Sequence, residues 1–155
     1  MKVLGVTCSS STALVTLVDA GVVVPSPVER IDVSALHEAS EELEATIDEI
    51  TRALRRVGPD RVILLLPEQS PRYRRTYQEI APRATLETLV RLASVRAGIP
   101  IEVMARRTVR SRLGLPLSGD LASHVATKIP TPAGHYWSAG RNVAGLAALA
   151  GEASS

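Results

Sequence analysis

The 155 residues suit one domain with a buried core, and 45% hydrophobic against 22% charged residues excludes a disordered or fibrous chain. The formal charge is only +2, but all of the 18 basic residues except Lys2 and Lys128 are arginine, so charge acts here only where it clusters. A single cysteine, Cys8, excludes an intrachain disulfide, and no run approaches the roughly 20 apolar residues of a membrane helix; with no apolar leader, a cytoplasmic protein with no membrane contact is expected.

Lys2 to Val6 reads as a short apolar strand, Thr7 to Ser11 as a polar turn, and Thr12 to Val18 as a second strand. Asp19-Ala20-Gly21 turns the chain into Val22 to Val24, which completes an antiparallel meander of three strands. Pro25-Ser26-Pro27 forces an extended connection, and Arg30 to Ser34 lead into a helix. Leu36, Leu43, Ile47, Ile50, Leu54 and Val57 form its apolar stripe, with Asp32 or Ser34 as cap. Glu38, Glu41, Glu42 and Glu44 near its start, and Arg52, Arg55 and Arg56 near its end, complement the helix dipole before Gly58-Pro59 stops it. Arg61 to Leu66 is a continuous apolar run, the pattern of a buried central strand.

Pro67 to Pro71 break that strand, and Arg72 to Tyr77 follow as the densest basic and aromatic cluster. A second helix is expected between Pro82 and Gly98, with Leu86, Leu89, Val90 and Ala93 inward. Ile99 to Met104 reads as a strand nearer an edge, because Pro100 removes a donor. A basic helix over Arg106 to Leu113 ends at Gly114, and a short helix over Asp120 to Lys128 takes Ser118 or Asp120 as cap. Ile129 to Gly134 is linker-like, a last small-residue helix covers about Ser138 to Ala150, and residues 151–155 are expected to be a flexible tail on a single 1–150 domain. The order predicts an α/β fold: the meander, then two strands that arrive through helical crossovers and lie parallel to the first, with helices on the faces.

In such sheets ligands gather at the carboxyl ends of the parallel strands. Thr7 to Ser11, Pro67 to Ser70 and the segment from Ala105 should meet there, with the start of the last helix closing a fourth side. Arg72, Tyr73, Arg74, Arg75 and Tyr77 follow one of these strands, and Arg106, Arg107, Arg110 and Arg112 follow another. Together they form a basic rim suited to the phosphates of DNA or RNA, with tyrosines to stack on bases. The plainer reading is two solvated faces whose arginine stems cover apolar surface. The hydroxyls and backbone N–H groups of Thr7 to Ser11 suit a phosphate, although a turn made of turn-forming residues explains them as well. Cys8 as a nucleophile would need one of His37, His124 or His135 beside it, and a structural thiol is the simpler expectation. Tyr136 and Trp137 are expected to anchor the last helix, and Asp19, Asp60, Glu102 and Asp120 to serve as turn, loop, strand and cap residues.

Several segments carry a resemblance: Leu4-Gly5-Val6-Thr7 with its Cys8-Ser9-Ser10 turn, Pro59-Asp60 leading to Leu64-Leu65-Leu66-Pro67-Glu68, Gly98-Ile99-Pro100-Ile101-Glu102-Val103, the basic run Arg106 to Gly114, and Asn142 to Ala147. In layout the chain resembles the ribonuclease H-like superfamily, and most closely the RuvC-type Holliday-junction resolvases. That resemblance implies a site in which carboxylates hold two divalent metal ions, which activate a water and stabilise the leaving oxygen of a phosphodiester. The chain departs from it at the acids. Thr7 stands at the first aspartate, Leu65 at the strand-end glutamate with Glu68 three residues later, and Asn142 and Gly145 at the paired aspartates. Thr7, Cys8, Ser9, Ser10, Leu65, Glu68, Asn142 and Gly145 are therefore the expected degenerate-site positions, with no metal and no cofactor. The resulting expectation is a catalytically inactive nucleic-acid binder. Two alternatives remain: a protein-interaction scaffold or homodimer, and a magnesium-dependent nuclease with relocated acids built around Glu68.

Overall fold

Strand β1, Lys2–Cys8, pairs antiparallel with β2, Thr12–Asp19, in a register running from Lys2 opposite Asp19 to Cys8 opposite Ala13. Thr7 and Cys8 thus belong to the strand, and the turn narrows to Ser9–Ser11, where the Ser9 N–H and hydroxyl both donate to the Thr12 carbonyl (2.9 and 3.2 Å). The computed structural model describes residues 1–33, 40–68 and 75–154. Ala20 and Gly21, both at positive φ (51° and 76°), make the tight hairpin into β3, Val22–Val24.

A fourth strand, β4 (Arg30–Asp32), was not expected. β3 covers only Leu17–Asp19 of β2, so the Thr12–Leu14 edge is open, and β4 pairs there, antiparallel. Asp32 is therefore no helix cap: its carboxylate accepts from Arg30 Nε (2.5 Å) and from the Thr12 hydroxyl (3.1 Å). Helix α1 is described over Ser40–Val57, with Glu41 and Glu42 at its start and Arg55 and Arg56 at its end. The expected cap Ser34, and with it Leu36, His37 and Glu38, lies outside the described residues.

Strand β5, Arg61–Leu65, runs parallel to β1, and β6, Ile101–Met104, runs parallel to β5 at the sheet's edge, giving the order β3-β2-β1-β5-β6. Pro100 precedes the edge strand, where a missing donor does least harm. Helix α2 spans Tyr77–Ala97 and begins five residues before Pro82, the expected start, which lies inside it. The Thr76 N–H donates to Glu79 Oε2 at 2.8 Å, one half of a Thr-x-x-Glu capping box.

Helix α3 is Arg106–Leu113. The expected helix over Asp120–Lys128 divides into a 3₁₀ turn, Ala122–His124, and α4, Val125–Lys128, with Asp120 accepting from the Ser123 N–H (2.9 Å). Helix α5, Arg141–Glu152, begins after a 3₁₀ turn at Trp137–Ala139 and runs two residues into the segment expected to be a tail, where Glu152 accepts from the Gly21 N–H (2.7 Å).

Alternation along the strands sends side chains to two cores. Leu4, Val6, Val62 and Leu64 pack with α1 and α2; Val3, Ile63 and Leu65 pack beneath α3 and α5. Gly5 lies on the α5 side, where a Cβ would fall 1.8 Å from the Ala144 carbonyl oxygen, so the helix crosses in direct backbone contact with β1. No helix among the described residues is long and apolar enough to cross a membrane.

Candidate functional site

The carboxyl ends of β1, β5 and β6 open onto two adjoining cavities that share Arg106, the first residue of α3. One, of about 350 Å³, lies beside Thr7 and is also bordered by Ser9, Thr12, Arg30 and Tyr136. The other, of about 390 Å³, is bordered by Leu66, Glu68, Arg107 and Arg110.

Arg106 donates Nε to the Leu66 carbonyl at 3.3 Å, and its Nη atoms have no hydrogen-bond partner among the described residues. Burial pulls its guanidinium below the ordinary arginine value, with Glu68 opposing that shift and Arg83 adding to it. Thr7 projects toward the start of α5, its hydroxyl donating to the Gly140 carbonyl at 3.4 Å. Cys8, next along β1, packs on the opposite side against the α1–α2 core. Burial pushes its thiol up to about 12, with Glu87 adding and Arg83 opposing. Neither His124 nor His135 borders its cavity, and His124 is engaged with the Ser118 carbonyl at 2.7 Å. Cys8 also borders the Thr7 cavity, and among the described residues it has no histidine beside it; burial favours its protonated thiol.

The other expected positions separate. Ser9 borders the Thr7 cavity and Ser10 does not. Leu65 is a core residue at 2% exposure, while Glu68 is exposed in the second cavity. Asn142 and Gly145 do not border the Thr7 cavity, which Gly140, just before α5, and Val143 border instead. Two residues along a helix amount to about 200° of rotation, which moves a side chain to the far face. Gly145 accordingly faces Ile129, Thr16 and Trp137, and the Asn142 side chain accepts from the Val143 N–H at 2.7 Å.

The expected rim is also thinner than its spacing implied. Arg110 is 5% exposed and donates to the Pro116, Ser118 and Gly119 carbonyls, so it secures the loop after α3. Arg112 lies toward the far end of α3, paired with Glu102 (2.7 Å) and Ser154 (3.0 Å). Arg107 is exposed at the second cavity, and Arg75 is exposed before α2. Tyr77 borders a separate cleft with Leu43 and Ala84, between α1 and α2. Arg72, Tyr73 and Arg74 lie outside the described residues.

Other residues come to the site that the sequence did not single out. Arg30 reaches it because β4 pairs with β2, and its guanidinium sits 5.0 Å over the Tyr136 ring. Of the expected anchor pair, Trp137 packs into the α5 core, while Tyr136 stays half exposed at the cavity with φ +57°. Arg141, 1% exposed, fixes this arrangement: it donates Nε to Val15 O (2.8 Å) and Nη1 to Ala133 O and His135 O (2.8 and 2.7 Å), and it pairs with Glu29 (3.1 Å). A buried arginine at a helix start leaves no pattern in sequence, whereas Thr76-x-x-Glu79 did leave one.

Among the described residues no carboxylate borders the Thr7 cavity, and no three of His, Cys, Asp and Glu gather as metal ligands would. Hydroxyls and guanidinium groups do not fit a pair of divalent cations, which take oxygen ligands and largely anionic ones. No family model and no curated protein matches the chain. Solved structures do. Thermus thermophilus RuvC in complex with a Holliday junction substrate is similar at a TM-score of 0.70 and 18% identity, over 99% of this chain and 93% of that one. A second Thermus thermophilus RuvC structure is similar at 0.66 and 16%, over 99% and 94%. The fold is the ribonuclease H-like fold of RuvC resolvases.

Proposed function

We propose that this chain is a catalytically inactive ribonuclease H-like protein that binds DNA or RNA through the basic surface at the carboxyl ends of β1, β5 and β6. One observation carries the reading: among the described residues the cavity at the end of β1 is bordered by two arginines, Arg30 and Arg106, and by no carboxylate. Such a cavity attracts a phosphodiester backbone but lacks the ligands with which a two-metal nuclease holds its ions. Arg107 extends the positive surface into the neighbouring cavity. The similar RuvC structure with a Holliday junction makes branched DNA the first nucleic acid to offer.

The test is a titration of branched, duplex and single-stranded DNA and of RNA at two salt concentrations, with magnesium present and the products run on a gel. Salt-sensitive binding without cleavage is expected. In Arg75→Ser/Arg107→Ser the slope of log affinity against log salt should fall by about two, one for each lost phosphate contact. Arg110 is left intact because its removal would unsettle the 116–119 loop. Unchanged affinity in the double variant overturns the rim. Magnesium-dependent cleavage that disappears in Glu68→Gln overturns the inactive reading in favour of relocated acids. A dimeric scaffold is the second reading, favoured by the exposed apolar side chains of α2.

A further inference from the structure

The geometry points to the Thr7 cavity as a phosphate site that works without a metal ion, in which guanidinium and hydroxyl groups hold one phosphate group of a nucleotide. This deepens the nucleic-acid reading and rests on it for the identity of the ligand. Arg106 is half-buried at the cavity, and among the described residues only its Nε is engaged, which leaves its Nη groups without a partner there. A desolvated cation with unused donors is stabilised by an anion, and a guanidinium fork matches two phosphate oxygens. Glu68 and, more weakly, Asp120 offset the charge of Arg106; both are exposed, neither borders the Thr7 cavity, and Glu68 borders the neighbouring one.

Arg30, which borders the same cavity, is a second cation. It is held in place by the Asp32 carboxylate on Nε and by the Tyr136 ring beneath it. The same cavity is bordered by Thr7 and Ser9, whose hydroxyl protons are spent on long bonds to the Gly140 and Thr12 carbonyls (3.4 and 3.2 Å). Bonds of that length are weak, and both hydroxyls gain by turning to a charged phosphate oxygen. The frame is fixed before any ligand arrives. Arg141 ties the 133–135 backbone to β2, and Tyr136 is held at a φ of +57° that a side chain seldom adopts. About 350 Å³ accommodates a phosphate together with its sugar.

The experiment follows backbone amide resonances of the intact protein during titration with inorganic phosphate, a 5′-mononucleotide and the matching nucleoside, each in EDTA and again in magnesium. Phosphate and the nucleotide should shift Thr7, Ser9, Thr12 and Gly140, the nucleoside should not, and EDTA should change nothing. Arg106→Gln should weaken nucleotide binding at least about tenfold, the effect of losing a charge-assisted bidentate contact. Because Arg106 also holds Leu66, Arg30→Gln serves as a second variant, with a smaller loss expected. Comparing 5′-phosphorylated and 5′-hydroxyl oligonucleotides tells a chain end from an internal phosphodiester, and a preference for either supports the site. Binding that requires magnesium, or equal affinity in both variants, overturns it. If phosphate shifts nothing while salt-sensitive DNA binding persists, this inference fails alone. If phosphate binds but no nucleic acid does at low salt, the site stands and the nucleic-acid reading fails.

Discussion

Glu87 on α2 lies close enough to Cys8 to act on it electrostatically, and its Oε1 is buried with no hydrogen-bond partner among the described residues. Burial raises its pKa, and Arg83 only partly offsets the rise. The folded state thus favours the protonated acid more than the unfolded state does. The stability this contributes is complete below the unfolded value, about 4.3, and is lost as pH rises through the higher folded value. At neutral pH the ionised side chain is a liability that Glu87→Gln removes. The variant should therefore melt higher than the parent at neutral pH, and the gap should close in acid; calorimetry across that range checks it, and a variant that melts lower at neutral pH sinks the argument. The same scale explains why the rim was only partly legible. Arg106 and Arg110 are four residues apart on one face of α3, yet among the described residues one is engaged only through Nε and the other is consumed by the 116–119 carbonyls. Residue spacing cannot distinguish them, because the difference is made by how the following loop folds back.

At the scale of elements, the site depends on how closely α5 crosses β1. A Cβ on Gly5 would meet the Ala144 carbonyl oxygen at 1.8 Å and the Ala148 nitrogen at 3.1 Å, both backbone atoms that cannot turn aside. Gly5→Ala should therefore cost about 3 kcal/mol in chemical denaturation, at the upper end for overpacking, because the whole helix must lift. Gly145→Ala should cost less, since its nearest neighbours are the movable side chains of Ile129 and Thr16; equal effects would mean that the crossing is not rigid. Gly5 stood in the sequence as one letter of a strand motif, and its packing role became visible only with α5 in place. The parallel strands, the buried β5 and the edge position of β6 were legible because apolar runs and Pro100 state them locally. β4 was not, since Ile31 is the only apolar residue of its three and its partner is an edge far back in the chain. Asn142 and Gly145, the α5 positions that the resemblance pairs with aspartates, do not border the Thr7 cavity, which Gly140 and Val143 border.

For the whole molecule, the sheet is covered on both faces, by α1 and α2 on one and by α3 and α5 on the other, so the core is closed. What stays open is the outside of α2. Its inward stripe is Leu86, Leu89, Val90 and Ala93, yet Tyr77, Ile80, Leu92 and Val95 are also apolar and are exposed by 83, 47, 46 and 70%. α1, by contrast, carries Glu41, Glu42, Arg55 and Arg56 outward. A helix that is apolar on opposite sides is stable in water when both sides are covered, and a second copy related by a two-fold axis covers the outer side with the same residues. The protein is therefore expected to sediment as a dimer, and Leu92→Glu/Val95→Glu as a monomer with an unchanged melting profile when dilute. A dimer that persists in the double variant would place the contact elsewhere, and a monomeric parent at its highest soluble concentration would remove the dimer altogether. The outcome also bears on nucleic-acid binding. Two basic surfaces joined through α2 would raise apparent affinity for a long or branched DNA by effective concentration, without any new contact. The monomeric variant should then lose affinity for such DNA while binding the mononucleotide as tightly as before. Equal losses on both ligands would show that the substitutions had disturbed the Thr7 cavity itself.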